Sequence, residues 1–109
     1  MLKAIFSSKN KEDILLYITA REEAYAREIA RFYDTDLSPV QNQLEKLENG
    51  AILYSRMVGR TRVYKFNPRY PFINELKSLL TKAIEFLPEE EKKKLLYERK
   101  RPRRKGKEL

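Results

Sequence analysis

Apolar positions along this chain keep two rhythms. From about residue 11 to residue 47 they recur three and four apart, and from 52 to 66 they tend to alternate around a glycine. The first rhythm belongs to helices and the second to strands. Ile14, Leu15 and Ile18 predict a first helix over about Lys11–Ala20. "YAREIARFY" predicts a second over about Tyr25–Tyr33, with Ile29, Ala30 and Tyr33 inward. "DTD" breaks that pattern. Val40, Leu44 and Leu47 then form one narrow stripe on a third helix within "LSPVQNQLEKLENG". Ser38-Pro39 followed by Gln41 fits a capping box with proline at the first helical position, and Asp36 is the alternative cap. Gly50 after Asn49 is the expected left-handed stop.

Two strands follow. "AILYSRM" puts Ile52 and Tyr54 on one face, and "TRVYKF" puts Tyr64 and Phe66 on one face with Arg62 in line beyond them. "VGRT" joins them, with Gly59 at the first central position of a type II′ turn. Asn67-Pro68 ends the hairpin. In "PFINELKSLLTKAIEFLP", Phe72, Leu76, Leu79, Ala83 and Phe86 step as a heptad seam, and Ile73, Leu80, Ile84 and Leu87 widen it. One small domain's flank rarely needs so broad an apolar face. The expectation is a helix over 72–87 that packs partly on its own domain and partly on a second copy. Phe72, Leu76, Leu79, Leu80, Ala83 and Phe86 would form that dimer contact. The competing expectation is that Leu2, Ile5, Phe6 and the domain surface cover the face within one protomer. "PEEEKKKLLYERKR" predicts a last helix, acidic at its start and basic at its end, which suits the helix dipole. The predicted fold class is mainly α with a small β-hairpin.

Composition removes several kinds of chemistry. With 41% hydrophobic and 37% charged residues over 109 positions, the chain should fold as one small, soluble domain. It has no cysteine and no histidine. Disulfides and thiol chemistry are therefore excluded, and zinc sites and imidazole catalysis lose their usual groups. No glycine loop suited to phosphate and no convincing pair of acids is visible, so the chain reads as a non-enzyme with no cofactor and no metal. The longest apolar run, "ILLYI", is too short for a bilayer, and the apolar stretch in "MLKAIFSSKNK" is too short for a signal peptide. A cytoplasmic protein without membrane contact is expected.

The net charge of +8 is concentrated in two places. Residues 99–109, "RKRPRRKGKEL", carry seven basic side chains and one acid. Residues 56–69 carry Arg56, Arg60, Arg62, Lys65 and Arg69 and no acid. The remainder is slightly acidic. Two basic features on such a body point to a polyanionic partner. On the third helix, Ser38, Asn42 and Lys46 point away from the apolar stripe and Gln41 flanks it. Ser, Gln and Asn side chains are suited to hydrogen-bonding base edges in a major groove.

Three short helices and a basic hairpin, in that order, make a winged helix-turn-helix. Residues 9–77 resemble the winged-helix domains of ArsR/MarR-like transcription regulators. The elements that carry the resemblance are "AREIAR", "LENGAIL", "VGRTRVY" and "FNP". One residue intervenes between Gly50 and Ile52, a departure at the exit from the third helix. The metal-sensing branches of that family use cysteine or histidine, so metal sensing does not carry over. The resemblance implies a recognition helix in the major groove of double-stranded DNA, with Ser38, Gln41, Asn42 and Lys46 facing bases and phosphates. It implies a wing whose Arg60 and Arg62, with Arg56, reach backbone or minor groove, and a second helix whose Arg27 or Arg31 lies near phosphate. The predicted organisation is a winged helix-turn-helix over 1–70, C-terminal helices for dimerisation over 71–98, and a flexible basic tail over 99–109. The expected function is that of a homodimeric DNA-binding regulator, a repressor by that likeness. Two alternatives stand beside it. One is an adaptor or antitoxin-like module bound to an unknown protein partner. The other is RNA binding through the tail, for which Tyr97 and Tyr70 are too few to make a stacking platform.

Overall fold

The computed structural model describes residues 2–97. In chain order these form α1 (Lys3–Phe6), α2 (Lys9–Arg21), β1 (Ala24–Tyr25), α3 (Ala26–Tyr33), α4 (Leu37–Asn49), β2 (Leu53–Val58), β3 (Thr61–Phe66), α5 (Ile73–Glu85) and α6 (Glu89–Tyr97). The basic tail over 99–109 lies outside the described residues.

α2 is the central post. Ser8 caps it, its Oγ accepting from Lys11 N at 3.1 Å. Ile14, Leu15, Leu16, Tyr17 and Ile18 are all buried, so this helix has no solvent stripe over its middle turns. α4, α5 and α6 all pack on it. A helix that is apolar on all sides is a core element. Ile29, Val40, Leu44, Leu47, Leu53, Tyr64, Leu80, Ala83, Ile84 and Leu95 join it in one contiguous core. The helices after residue 71 thus share the core of the helix-turn-helix.

The sheet is antiparallel, in the order β1-β3-β2. Its register pairs Leu53 with Phe66, Ser55 with Tyr64 and Met57 with Arg62. β1 pairs Ala24 with Tyr64 and Tyr25 with Val63. The sequence pattern did not anticipate β1, because two residues carry no period. In β2 the core residue is Leu53, whereas Tyr54 is exposed, so the core face is not the Ile52–Tyr54 face singled out above. Gly59 has φ +63° and Arg60 is not among the residues with positive φ, as a type II′ turn requires.

Both ends of α4 differ from expectation. Asp36 is the N-terminal flanking residue, but its side chain makes no capping bond, and Ser38 is already the second helical residue. Pro39 is third, still within the turn whose amides lack intrahelical partners. At the other end Gly50 has φ −85° and the left-handed residue is Ala51, at φ +67°. Ile52 N donates to Leu47 O at 3.0 Å and Ala51 N to Glu48 O at 2.9 Å. That is a Schellman ending displaced by one residue, with alanine in glycine's usual place. The extra residue between Gly50 and Ile52 causes the displacement.

α5 spans Ile73–Glu85, slightly shorter than the predicted 72–87. Two residues assigned above to the dimer contact, Leu80 and Ala83, are buried inside this protomer at 0% and 5% exposure. They belong to the contact between α5 and α2. Leu76 is half-buried against the same core. Phe72 and Phe86 are 62% and 69% exposed, and Leu79 is 37% exposed. Ile5 and Phe6 of α1 line an apolar groove of about 540 Å³ with Phe72, Leu76 and Leu79. The N-terminal segment therefore covers the face only in part. Among the described residues no helix is long and apolar enough to cross a membrane.

Candidate nucleic-acid interface

α3 and α4 are joined by a short turn in which Asp34 takes a left-handed conformation, φ +53°. Val40, Leu44 and Leu47 hold α4 to the core, so its opposite surface faces outward. The hairpin rises beside α4. A concave surface of about 730 Å³ lies between the start of α3, the outer face of α4 and the hairpin. Arg27 lines it from α3, Gln41 and Asn42 from α4, and Arg60 and Arg62 from the hairpin. These five residues were selected from sequence for DNA contact, and the fold brings them around one hollow. Ser38 and Lys46 are exposed on α4 but do not line it.

Arg56 is placed differently. It pairs with Val63, whereas Arg62 pairs with Met57. Residues on a strand alternate faces, so Arg56 stands on the opposite side of the sheet from Arg62. There its Nη2 lies 3.3 Å from Glu23 Oε1. Both groups are well exposed, so the pair is a weak one. The acid was invisible in the sequence of the hairpin because it comes from the loop before β1.

The base of the wing is tied to α4. Arg62 Nη1 donates to Ser55 Oγ at 2.9 Å, and that hydroxyl donates to Glu48 Oε2 at 2.8 Å. The relay holds one end of the arginine over the hollow. Burial, with the nearby Glu48 charge adding to it, raises the pKa of Tyr64 on the same face. The phenol therefore remains a neutral hydrogen-bonding group at physiological pH.

Tyr25, Leu37, Glu45, Met57 and Thr61 are among the seven further residues that line the hollow without having been anticipated as contacts. Glu45 shares a face with Gln41 and Asn42 because the three lie three and four residues apart. An acid in a basic hollow opposes a phosphate directly above it. It also accepts a hydrogen bond from the amino group of cytosine, the usual carboxylate pairing in a major groove. Glu28 fixes the start of α3, its Oε1 accepting from Tyr25 N at 3.2 Å. Among the described residues no group of histidine, cysteine and acidic side chains is arranged to hold a metal ion.

The mostly helical body, the helix-turn-helix of α3 and α4 and the small three-stranded sheet together make a winged helix-turn-helix. No protein-family model matches the chain, and neither does any curated protein. Solved structures do resemble it. YusO from Bacillus subtilis is similar with a TM-score of 0.59 at 19% identity, over 83% of this chain and 72% of that one. The AntR antimony-specific transcriptional repressor gives 0.57 at 22% identity, over 78% and 75%. MepR, a transcription regulator of the Staphylococcus aureus multidrug efflux pump MepA, gives 0.57 at 18% identity, over 86% and 76%. At such identities the likeness is one of fold. It confirms the fold class and the resemblance to winged-helix regulators expected from the sequence.

Proposed function

We propose that this protein is a homodimeric, sequence-specific double-stranded DNA-binding transcription regulator of the ArsR/MarR-like type, acting as a repressor. The observation that carries the reading is the convergence of Arg27, Gln41, Asn42, Arg60 and Arg62 on one hollow beside an outward-facing α4. A helix held by Val40, Leu44 and Leu47 presents short amide side chains to base edges. Arginines on either side of it meet the two phosphate backbones, or a narrow minor groove in the case of the wing. Ser38 and Lys46, exposed on the same helix, contribute phosphate or outer base contacts, and Arg56 contributes once released from Glu23. Two copies meet through Phe72, Leu79 and Phe86, the apolar residues of the α5 segment left exposed by the protomer. A C2 dimer then presents two α4 helices to successive major-groove faces about 34 Å apart.

The test is selection of genomic fragments with the purified protein, followed by binding isotherms on the recovered site. The expected outcome is a palindromic or near-palindromic site, bound more tightly than random duplex and lost with Gln41→Ala or Asn42→Ala. The competing reading as a protein-binding adaptor rests on the exposed Ile5–Phe72–Leu79 groove. Recovery of no enriched duplex, together with a stable heteromeric complex through that groove, would establish it instead.

A further inference from the structure

α3 and α4 carry three acids between them, and the hairpin over 53–66 carries none. Two of the three serve the protomer. Glu28 holds the start of α3 through Tyr25 N, and its Oε2 accepts from Tyr17 Oη at 2.8 Å. Tyr17 is itself held by Arg21 Nη1 at 2.8 Å, and Arg21 Nε donates to the carbonyl of Leu95 at 2.9 Å. Glu48 accepts from Ser55 Oγ and so steadies Arg62 of the hairpin. Glu45 is the third acid. It is exposed, and among the described residues its carboxylate has neither a hydrogen bond nor an ion pair. Yet Arg27, Arg60 and Arg62 line the same hollow.

Such an acid opposes binding to any duplex unless the duplex supplies a donor, because phosphates repel it. An ionised carboxylate only accepts hydrogen bonds. Base edges in the major groove offer two donors, the N4 amino group of cytosine and the N6 amino group of adenine. Guanine presents the acceptors N7 and O6, and thymine presents O4 and a methyl group. The N6 group of adenine stands beside N7, whose lone pair opposes a carboxylate, whereas cytosine has no acceptor on that edge. Glu45 is therefore matched to cytosine. It follows Asn42 by three residues and Gln41 by four, on the same face of α4. That spacing is about 4.5–6 Å along the helix axis, and base pairs stack about 3.4 Å apart. The base facing Glu45 thus lies roughly one or two pairs from those facing Gln41 and Asn42.

We infer that Glu45 is a specificity-determining residue, whose carboxylate accepts from the N4 amino group of a cytosine and fixes a C·G pair at one position of the sequence read by each α4. The inference rests on the DNA-binding reading above. The arginines around the hollow supply affinity through phosphates without regard to base, and Glu45 subtracts from that affinity wherever the facing base offers no donor. The acid thus acts by excluding wrong sequences as much as by holding the right one.

The test compares selections from a random duplex library by the native chain, Glu45→Gln and Glu45→Ala. Position 45 is exposed, so both variants should fold, which circular dichroism checks. The native protein is expected to enrich cytosine at one position, next to those whose preference Gln41→Ala or Asn42→Ala removes. On the selected site, replacing that C·G pair should weaken the native protein about 10-fold or more, as loss of a direct base contact does. The same replacement should leave Glu45→Ala almost unaffected. Glu45→Gln should move the preference from cytosine toward adenine, since a glutamine amide pairs with adenine N6 and N7. A purely repulsive role would instead raise the affinity of both variants for all sequences alike and leave the selected base unchanged. That outcome would overturn the inference and leave the DNA-binding reading standing. A native site without cytosine beside the Gln41 and Asn42 contacts would do the same. Absence of any duplex binding by the native protein would remove both together.

Discussion

Asn67 donates its side-chain amide to the carbonyl of Ala51 across 2.9 Å, and Ala51 holds the left-handed conformation that ends α4. Asn67 N also donates to Ile52 O at 2.9 Å, while its Oδ1 accepts from Arg69 N at 3.0 Å. One asparagine thus joins the end of the hairpin to the exit of α4. This gives the "FNP" segment a structural task, with Pro68 following where no further ladder donor is required.

Ala51 carries strain that Gly50 does not. A left-handed alanine costs roughly 1–2 kcal/mol, part of which glycine would return to the unfolded chain as entropy. Ala51→Gly is therefore expected to stabilise the protein by about 0.5 kcal/mol. Gly50 has ordinary φ, and an added Cβ would meet the carbonyl oxygen of Lys46 at 3.5 Å, a normal contact. Gly50→Ala should also stabilise, by about 0.4–1 kcal/mol. Urea denaturation of the two variants checks both signs. Destabilisation by Gly50→Ala would show that the left-handed residue is Gly50 after all.

Leu79 and Leu80 should separate association from folding. Leu80 is fully buried, and Leu80→Ala should cost about 2–5 kcal/mol, with Leu80→Glu failing to fold. Leu79→Glu alters an exposed position. It is expected to keep the circular dichroism and thermal midpoint of the protomer while shifting sedimentation from dimer to monomer. A native protein that already sediments as a monomer at micromolar concentration would refute the proposed contact.

The wing arginines should matter for affinity and little for folding. Arg60→Ala and Arg62→Ala are surface changes, expected to alter stability by less than about 0.5 kcal/mol. Loss of a phosphate contact should weaken all sequences alike and reduce the salt slope by roughly 1. Loss of a minor-groove contact should instead weaken A·T-rich flanks most. Isotherms at several salt concentrations on both kinds of flank distinguish the two. Ser55→Ala, which releases Arg62 from its tether, should produce a smaller loss of the same kind.

Lys9 and Asp13 form an asymmetric pair at 2.8 Å. The exposed lysine gains from the carboxylate, and its pKa is raised mainly by that hydrogen bond. The buried carboxyl loses more by desolvation than Lys9 restores, so its pKa is also raised. A raised carboxyl pKa contributes stability below the ordinary value of 3.8, and that contribution is lost as pH rises through the folded value. Asp13→Asn should therefore be neutral or stabilising at pH 7, with the difference shrinking at the acid end of a pH series of thermal midpoints. Marked destabilisation at pH 7 would show that the ion pair outweighs burial. At the alkaline end, burial pushes the phenol of half-buried Tyr33 far above its ordinary value of 10.0, so its contribution is fully present below that value and is lost progressively as pH rises above it.

The repetition of apolar residues alone determined α2, α3, α4 and the hairpin, because a period of 3.6 or 2 is a local property that each element carries in its own residues. It also marked Asn42 as outward-facing and Gln41 as flanking the stripe once Val40, Leu44 and Leu47 were assigned inward. What period cannot supply is the identity of the neighbour across a face. Leu80 and Ala83 looked like dimer residues in sequence, and only the packing of α5 on α2 placed them in the protomer's core. Leu53, rather than Tyr54, is the core residue of β2, a phase that the alternation by itself did not fix. Arg56 appeared free of acids until the loop before β1 brought Glu23 to it. Arg21 and Leu95 are 74 positions apart, and no local pattern foretells that one caps the other. The meeting of Arg27 with Arg60 and Arg62 belongs to the same class. Each arises where separate elements pack, and the tertiary structure alone decides it.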